Sequence, residues 1–172
     1  MNKLFNILIC ILTLGLFRCG GNAQSLTEGQ LAPDFTLEDE NSVKYTLSDF
    51  RGKSPVVIFF YPKAGTPGCT KQACGIRDNI SKFEENEIAI FGISVDSKES
   101  QKKFKEENNL NFPLLSDEDK TVSKAYDVLN NFGVASRVTF VIDKEGKIAH
   151  ILRDINISEH ANQVFELALK LK

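Results

Sequence analysis

"VVIFFYPKAGTPGCTKQACGIRD", residues 56–78, passes from an unbroken apolar run through a short turn into a helical repeat. Val56 to Tyr61 show no polar alternation, which is the texture of a strand covered on both faces. Thr66 and Pro67 then supply a favoured N-cap and a favoured first helical residue. Behind them Ala73, Ile76, Ile80 and Phe83 recur at helical spacing, leaving Lys71, Arg77, Asp78, Lys82 and Glu84 for the outside. The stretch therefore predicts a buried strand feeding a crossover helix, the opening of an α/β unit.

Working outward, "IAIFGISV" (88–95) and "VTFVID" (138–143) repeat the apolar texture and are expected as further central, largely parallel strands. "DFTLED" (34–39) and "VKYTL" (43–47) alternate around Glu40-Asn41-Ser42 and predict an N-terminal hairpin decorating the edge. A mostly polar helix should begin near Ser97 and show only Phe104 to the core, and residues 120–129 predict another. Asp143-Lys144-Glu145-Gly146 turns the chain into "KIAHIL" (147–152), an antiparallel partner for the strand before it. A last helix carries Val164, Leu167, Ala168 and Leu171 on one face. The pattern is that of a thioredoxin-like α/β fold, a central mixed sheet flanked by helices with an N-terminal β-hairpin extension.

With 172 residues, 42% hydrophobic and 26% charged, the chain has enough apolar material for one core and too little for two. Its net charge of -2, with lysines scattered among glutamates, provides no basic stripe to neutralise a phosphate backbone, so nucleic acid is not an expected partner. Lys3 precedes an apolar run from Leu4 to Phe17, followed by Arg18, Cys19, Gly20 and Gly21. That order predicts an export signal, too short for the roughly 20 residues of a spanning helix. Small residues at Gly21 and Ala23 favour cleavage after Ala23, giving a leader of residues 1–23 and a single domain of 24–172. The alternative is a lipoprotein signal ending before Cys19, with a lipid anchor there, against which Arg18 counts. Either way the chain is expected in the periplasm or cell envelope.

Cleavage after Ala23 leaves Cys69 and Cys74. Cys69 falls on the inward stripe at the first turn of the predicted helix, where free N–H groups and the positive end of the helix dipole favour an anion. A five-residue step along an α-helix rises about 7.5 Å and turns roughly 140°, putting the Cα atoms about 9 Å apart. A disulfide needs them within about 7 Å, so the two cannot bridge while the helix is intact. Four zinc ligands are not at hand, because His150 and His160 lie far off in sequence. A Cys-x-x-Cys exchange motif is absent.

"FFYPKAGTPGCTKQACGIRD" (59–78) resembles the peroxiredoxins, in the bacterioferritin-comigratory or PrxQ branch, through Pro62, Thr66 and Cys69 of a Pro-x-x-x-Thr-x-x-Cys motif and a cysteine five positions on. "FPLLSD" (112–117), residues 122–126 and "SRVTFVIDKEGKI" (136–148) extend the likeness. The resemblance implies a monomeric thiol peroxidase acting on hydrogen peroxide and organic hydroperoxides, without metal, haem or flavin, recycled by a thioredoxin-like reductant. It makes Cys69 the peroxidatic thiolate and Cys74 the resolving thiol. Thr66 would hydrogen-bond thiolate and peroxide, Pro62 would shield the oxidised sulfur, and Arg137 would hold the thiolate ionised. Ala64-Gly65 and the 130–133 segment depart from the pattern. Two rival readings remain: an envelope thiol-disulfide oxidoreductase and a non-catalytic redox-sensing module.

Overall fold

The computed structural model describes residues 25–172, so the leader, with Cys10 and Cys19, lies outside the described residues. Seven strands form one mixed sheet: β1 (Thr36–Asp39), β2 (Lys44–Thr46), β3 (Val56–Phe60), β4 (Ala89–Ser94), β5 (Leu114–Ser116), β6 (Val138–Ile142) and β7 (Ile148–Leu152). Their order across the sheet is β2-β1-β5-β4-β3-β6-β7. The helices are α1 (Pro67–Arg77), α2 (Ile80–Glu85), α3 (Lys98–Asn108), α4 (Thr121–Ala125) and α5 (His160–Leu169), with a short 3₁₀ turn at Leu47–Phe50. This mixed, helix-flanked sheet is the thioredoxin-like arrangement expected from the sequence.

The period of two along β3 divides the core. Val57, Phe59 and Tyr61 face a layer that includes Cys69, Ala73, Ile76, Phe83, Phe104, Val164 and Ala168. Val56, Ile58 and Phe60 face the opposite layer with Phe91, Tyr126 and Phe140. Each fully buried aliphatic or aromatic side chain contributes about 1.5–3 kcal/mol, so the double-sided strand is the structural spine. Gly92 of β4 lies between Phe59 and Leu114 in register. A Cβ there would stand 2.8 Å from the Phe59 ring and 2.9 Å from a Leu114 methyl, so only glycine leaves room for the ring.

Five expectations change. β3 is parallel to β4 and β4 to β5, but β6 runs antiparallel to β3, so the centre is mixed and not largely parallel. The single crossover helix is two helices, broken at Asp78 and Asn79, where the Asn79 amide caps back onto the Gly75 carbonyl. The helix expected over 120–129 is confined to Thr121–Ala125; Asp127 takes a φ of 52° and the backbone turns out toward Leu129. The predicted strands 34–39 and 43–47 pair antiparallel, yet β1 also pairs with β5, which makes them part of the one sheet and not a decoration beside it. α3 buries Gln101 as well as Phe104.

Gly92→Ala is expected to lower unfolding free energy by about 1–3 kcal/mol through overpacking against Phe59. Chemical denaturation checks this, and a variant as stable as the parent would show that the ring has room to move.

Candidate active site at the first turn of helix α1

The loop from Tyr61 to Thr66 is held from both ends. The Ala64 N–H donates to Asp96 Oδ2 at 2.8 Å, and Ser94 Oγ donates to the same oxygen at 2.7 Å. Gln101 Nε2 donates to Ser94 Oγ at 3.2 Å and to the Leu115 carbonyl at 2.8 Å, while its Oε1 accepts from the Tyr61 hydroxyl. This explains a polar residue on the inward stripe of α3: Gln101 satisfies three buried groups at once. Burial pushes the Tyr61 hydroxyl far above its ordinary pKa, so it remains a proton donor. Gly65, at a φ of 74°, makes the left-handed turn that returns the chain to α1.

Cys69 follows in the first turn, 2% exposed and with a free thiol. Arg137 reaches it because of strand register. β6 is antiparallel to β3 with Val138 opposite Phe60, so the residue before β6 emerges beside the end of β3, where α1 begins. Its Nη2 donates to Cys69 Sγ at 3.3 Å and its Nη1 donates to Gln72 Oε1. Gly68 makes the approach feasible: a Cβ on it would sit 3.3 Å from Arg137 Nη2. A guanidinium thus meets the sulfur in the first turn of a helix, the end at which the helix dipole is positive.

The other residues singled out from sequence fall as follows. Thr66 occupies the N-cap position with extended backbone, but its side chain makes no capping bond; Oγ1 donates instead to the Lys63 carbonyl at 3.0 Å. The proline at position 62 is half-buried in the bend after β3. Cys74 is half-buried in the same unbroken α1 as Cys69, also with a free thiol, and packs against the Cys69 layer of the core.

Sequence reasoning missed Gln72, Thr139 and His160. Gln72 Nε2 meets His160 Nδ1 at 3.2 Å, and His160 Nε2 meets Thr139 Oγ1 at 2.8 Å, all buried. One signal was available: Cys69, Gln72, Ala73 and Ile76 share a single helical stripe, and a glutamine on an apolar stripe asks for a buried partner.

A free cysteine thiol at a helix start, under a guanidinium and on a thioredoxin-like sheet, is the arrangement of a thiol-based redox protein. The AhpC/TSA family is matched over residues 29–151. Peroxiredoxin Bcp of Escherichia coli (strain K12) is 40% identical over 146 residues, covering 81% of this chain and 93% of that protein. The chloroplastic Peroxiredoxin Q of Sedum lineare is 41% identical over 150 residues, covering 86% and 80%. Among solved structures, peroxidoxin BcpB from Mycobacterium tuberculosis superposes with a TM-score of 0.79 at 35% identity, covering 86% of this chain and 99% of that one. A Xanthomonas campestris Peroxiredoxin Q structure gives 0.73 at 31%, covering 79% and 89%. The chain belongs to the AhpC/TSA family, alongside its Bcp and Q peroxiredoxins, and is an oxidoreductase acting on peroxides.

Asp96→Ala is expected to cost about 1.5–3 kcal/mol, the worth of hydrogen bonds to a charged group, and to slow peroxide reduction by freeing the 62–65 loop. Denaturation and peroxidase assays read the two effects. Full activity with the tether gone would remove loop placement from the site's requirements.

Proposed function

We propose that Cys69 is the peroxidatic cysteine of a thiol peroxidase for hydrogen peroxide and organic hydroperoxides, with Cys74 resolving and a thioredoxin-like dithiol protein closing the cycle. The observation that carries this reading is the 3.3 Å contact from Arg137 Nη2 to Cys69 Sγ at the helix start, with a second free thiol in the same helix. Cys69 Sγ attacks one peroxide oxygen, the S–O bond forms as the O–O bond breaks, and the departing oxygen takes a proton to leave as water or alcohol. Sulfur loses the two electrons that the peroxide gains. Charge on the departing oxygen develops against the guanidinium and helix N–H groups, which stabilise it without a side-chain base.

Cys74 then attacks the sulfenic sulfur; the S–S bond forms, the S–O bond breaks, and water leaves. Five residues of helix place their Cα atoms about 9 Å apart, so α1 must unwind first. The reductant's two thiols return two electrons by exchange through a mixed disulfide. Thr66, whose hydroxyl sits at the N-cap, is read as a hydrogen-bond partner of the bound peroxide, and Pro62 as a shield over the oxidised sulfur. The export signal read in residues 1–23 supports an envelope reductant, and sequencing the mature N-terminus distinguishes cleavage after Ala23 from lipidation at Cys19.

Cys69→Ser is expected to abolish turnover, whereas Cys74→Ser should react once with peroxide and then stall or overoxidise with a thioredoxin-type reductant. Arg137→Ala should slow the reaction of Cys69 with peroxide by roughly 100-fold, the usual effect of deleting one preorganised donor. Single-turnover kinetics with intact-mass detection reads all three. Unchanged turnover by Cys74→Ser with a thioredoxin-type reductant would take the resolving role from Cys74.

A further inference from the structure

We propose that Gln72, His160 and Thr139 form a latch that aims Arg137 at Cys69 and must open before Cys74 can act, which makes His160 a positioning residue. The inference rests on the resolving role given to Cys74 above.

The direction of every proton in this chain of contacts is fixed. A guanidinium only donates, so Gln72 must present Oε1 to Arg137 and its NH₂ to His160. His160 Nδ1 therefore accepts, which leaves the ring proton on Nε2 to be donated to Thr139 Oγ1 at 2.8 Å. Only a neutral imidazole fits. Burial, together with the positive Arg137 nearby, lowers the His160 pKa to about 4, in keeping with that assignment.

The fold explains why these residues meet. Thr139 is opposite Phe59 in the β3–β6 register, and Phe59 belongs to the layer facing α1 and α5. The His160 ring stands edge-on to Phe59 at 6.0 Å between centroids, at the first residue of α5. The latch is therefore anchored on the sheet and on α5, while its other end, Gln72, rides on the segment between the two cysteines.

That placement gives the contact two opposite effects. Closed, it orients the guanidinium and favours attack on peroxide. When α1 unwinds to bring Cys74 to Cys69, Gln72 has to leave His160 and Arg137, so the same contact opposes resolution. It also prolongs the sulfenic state, in which a second peroxide can carry the sulfur on to sulfinic acid.

The test follows both steps in the full reduced chain after rapid mixing with hydrogen peroxide, by quenched intact-mass analysis. His160→Phe keeps the aromatic contact with Phe59 and removes the acceptor. Thr139→Val preserves shape on β6 and serves if the first variant does not fold. Each should slow loss of the reduced form roughly threefold to tenfold, accelerate conversion of sulfenic acid to disulfide, and reduce sulfinic acid at high peroxide. Thr139→Ser should restore wild-type behaviour in all three. Unchanged rates, or both steps moving in the same direction, would overturn the latch. A wild-type protein that never forms the Cys69–Cys74 bond would remove the resolving assignment and the latch together, whereas a wild-type bond with unmoved variants would sink the latch alone.

Discussion

One helix is given two incompatible tasks. Its first turn has to be wound, because only then does Cys69 Sγ lie under the Arg137 guanidinium at the positive end of the helix dipole. Its second turn carries Cys74, which a wound helix keeps out of bonding range. The remaining structure around the site serves one side or the other of that conflict.

The sheet serves the wound state. β3 and β6 are fixed by burial on both faces, and their antiparallel register delivers Arg137 and Thr139 to the same layer as α1. The Asp96–Ala64 tether and the Tyr61–Gln101–Ser94 chain then fix the loop that starts the helix. What α1 itself contributes is modest: it is 11 residues long, begins without a side-chain cap, and is separated from α2 by a break at Asp78 and Asn79. A short helix, marginal alone and held by tertiary contacts, is suited to local opening while the sheet stays intact.

Much of this was readable in the chain. The unbroken apolar runs of β3, β4 and β6 announced covered strands, Ser97 marked the start of α3, and Thr66-Pro67 marked the start of α1. Cys69 was expected to point inward and is buried. β5 escaped notice as a strand because three residues, Leu114 to Ser116, are too few to show a period. The orientation of β6 was not legible either, since a covered strand reads alike in both directions. The polar groups behind Arg137 depend on that register: a glutamine in one helix, a histidine opening another and a threonine on a strand share no local pattern.

Amide hydrogen exchange of α1 before and after stoichiometric peroxide tests this conflict most directly. Residues 70–74 are expected to lose protection in the oxidised, disulfide-bonded protein while β3 and β6 keep theirs. A Cys69–Cys74 bond formed with α1 as protected as in the reduced protein would contradict it.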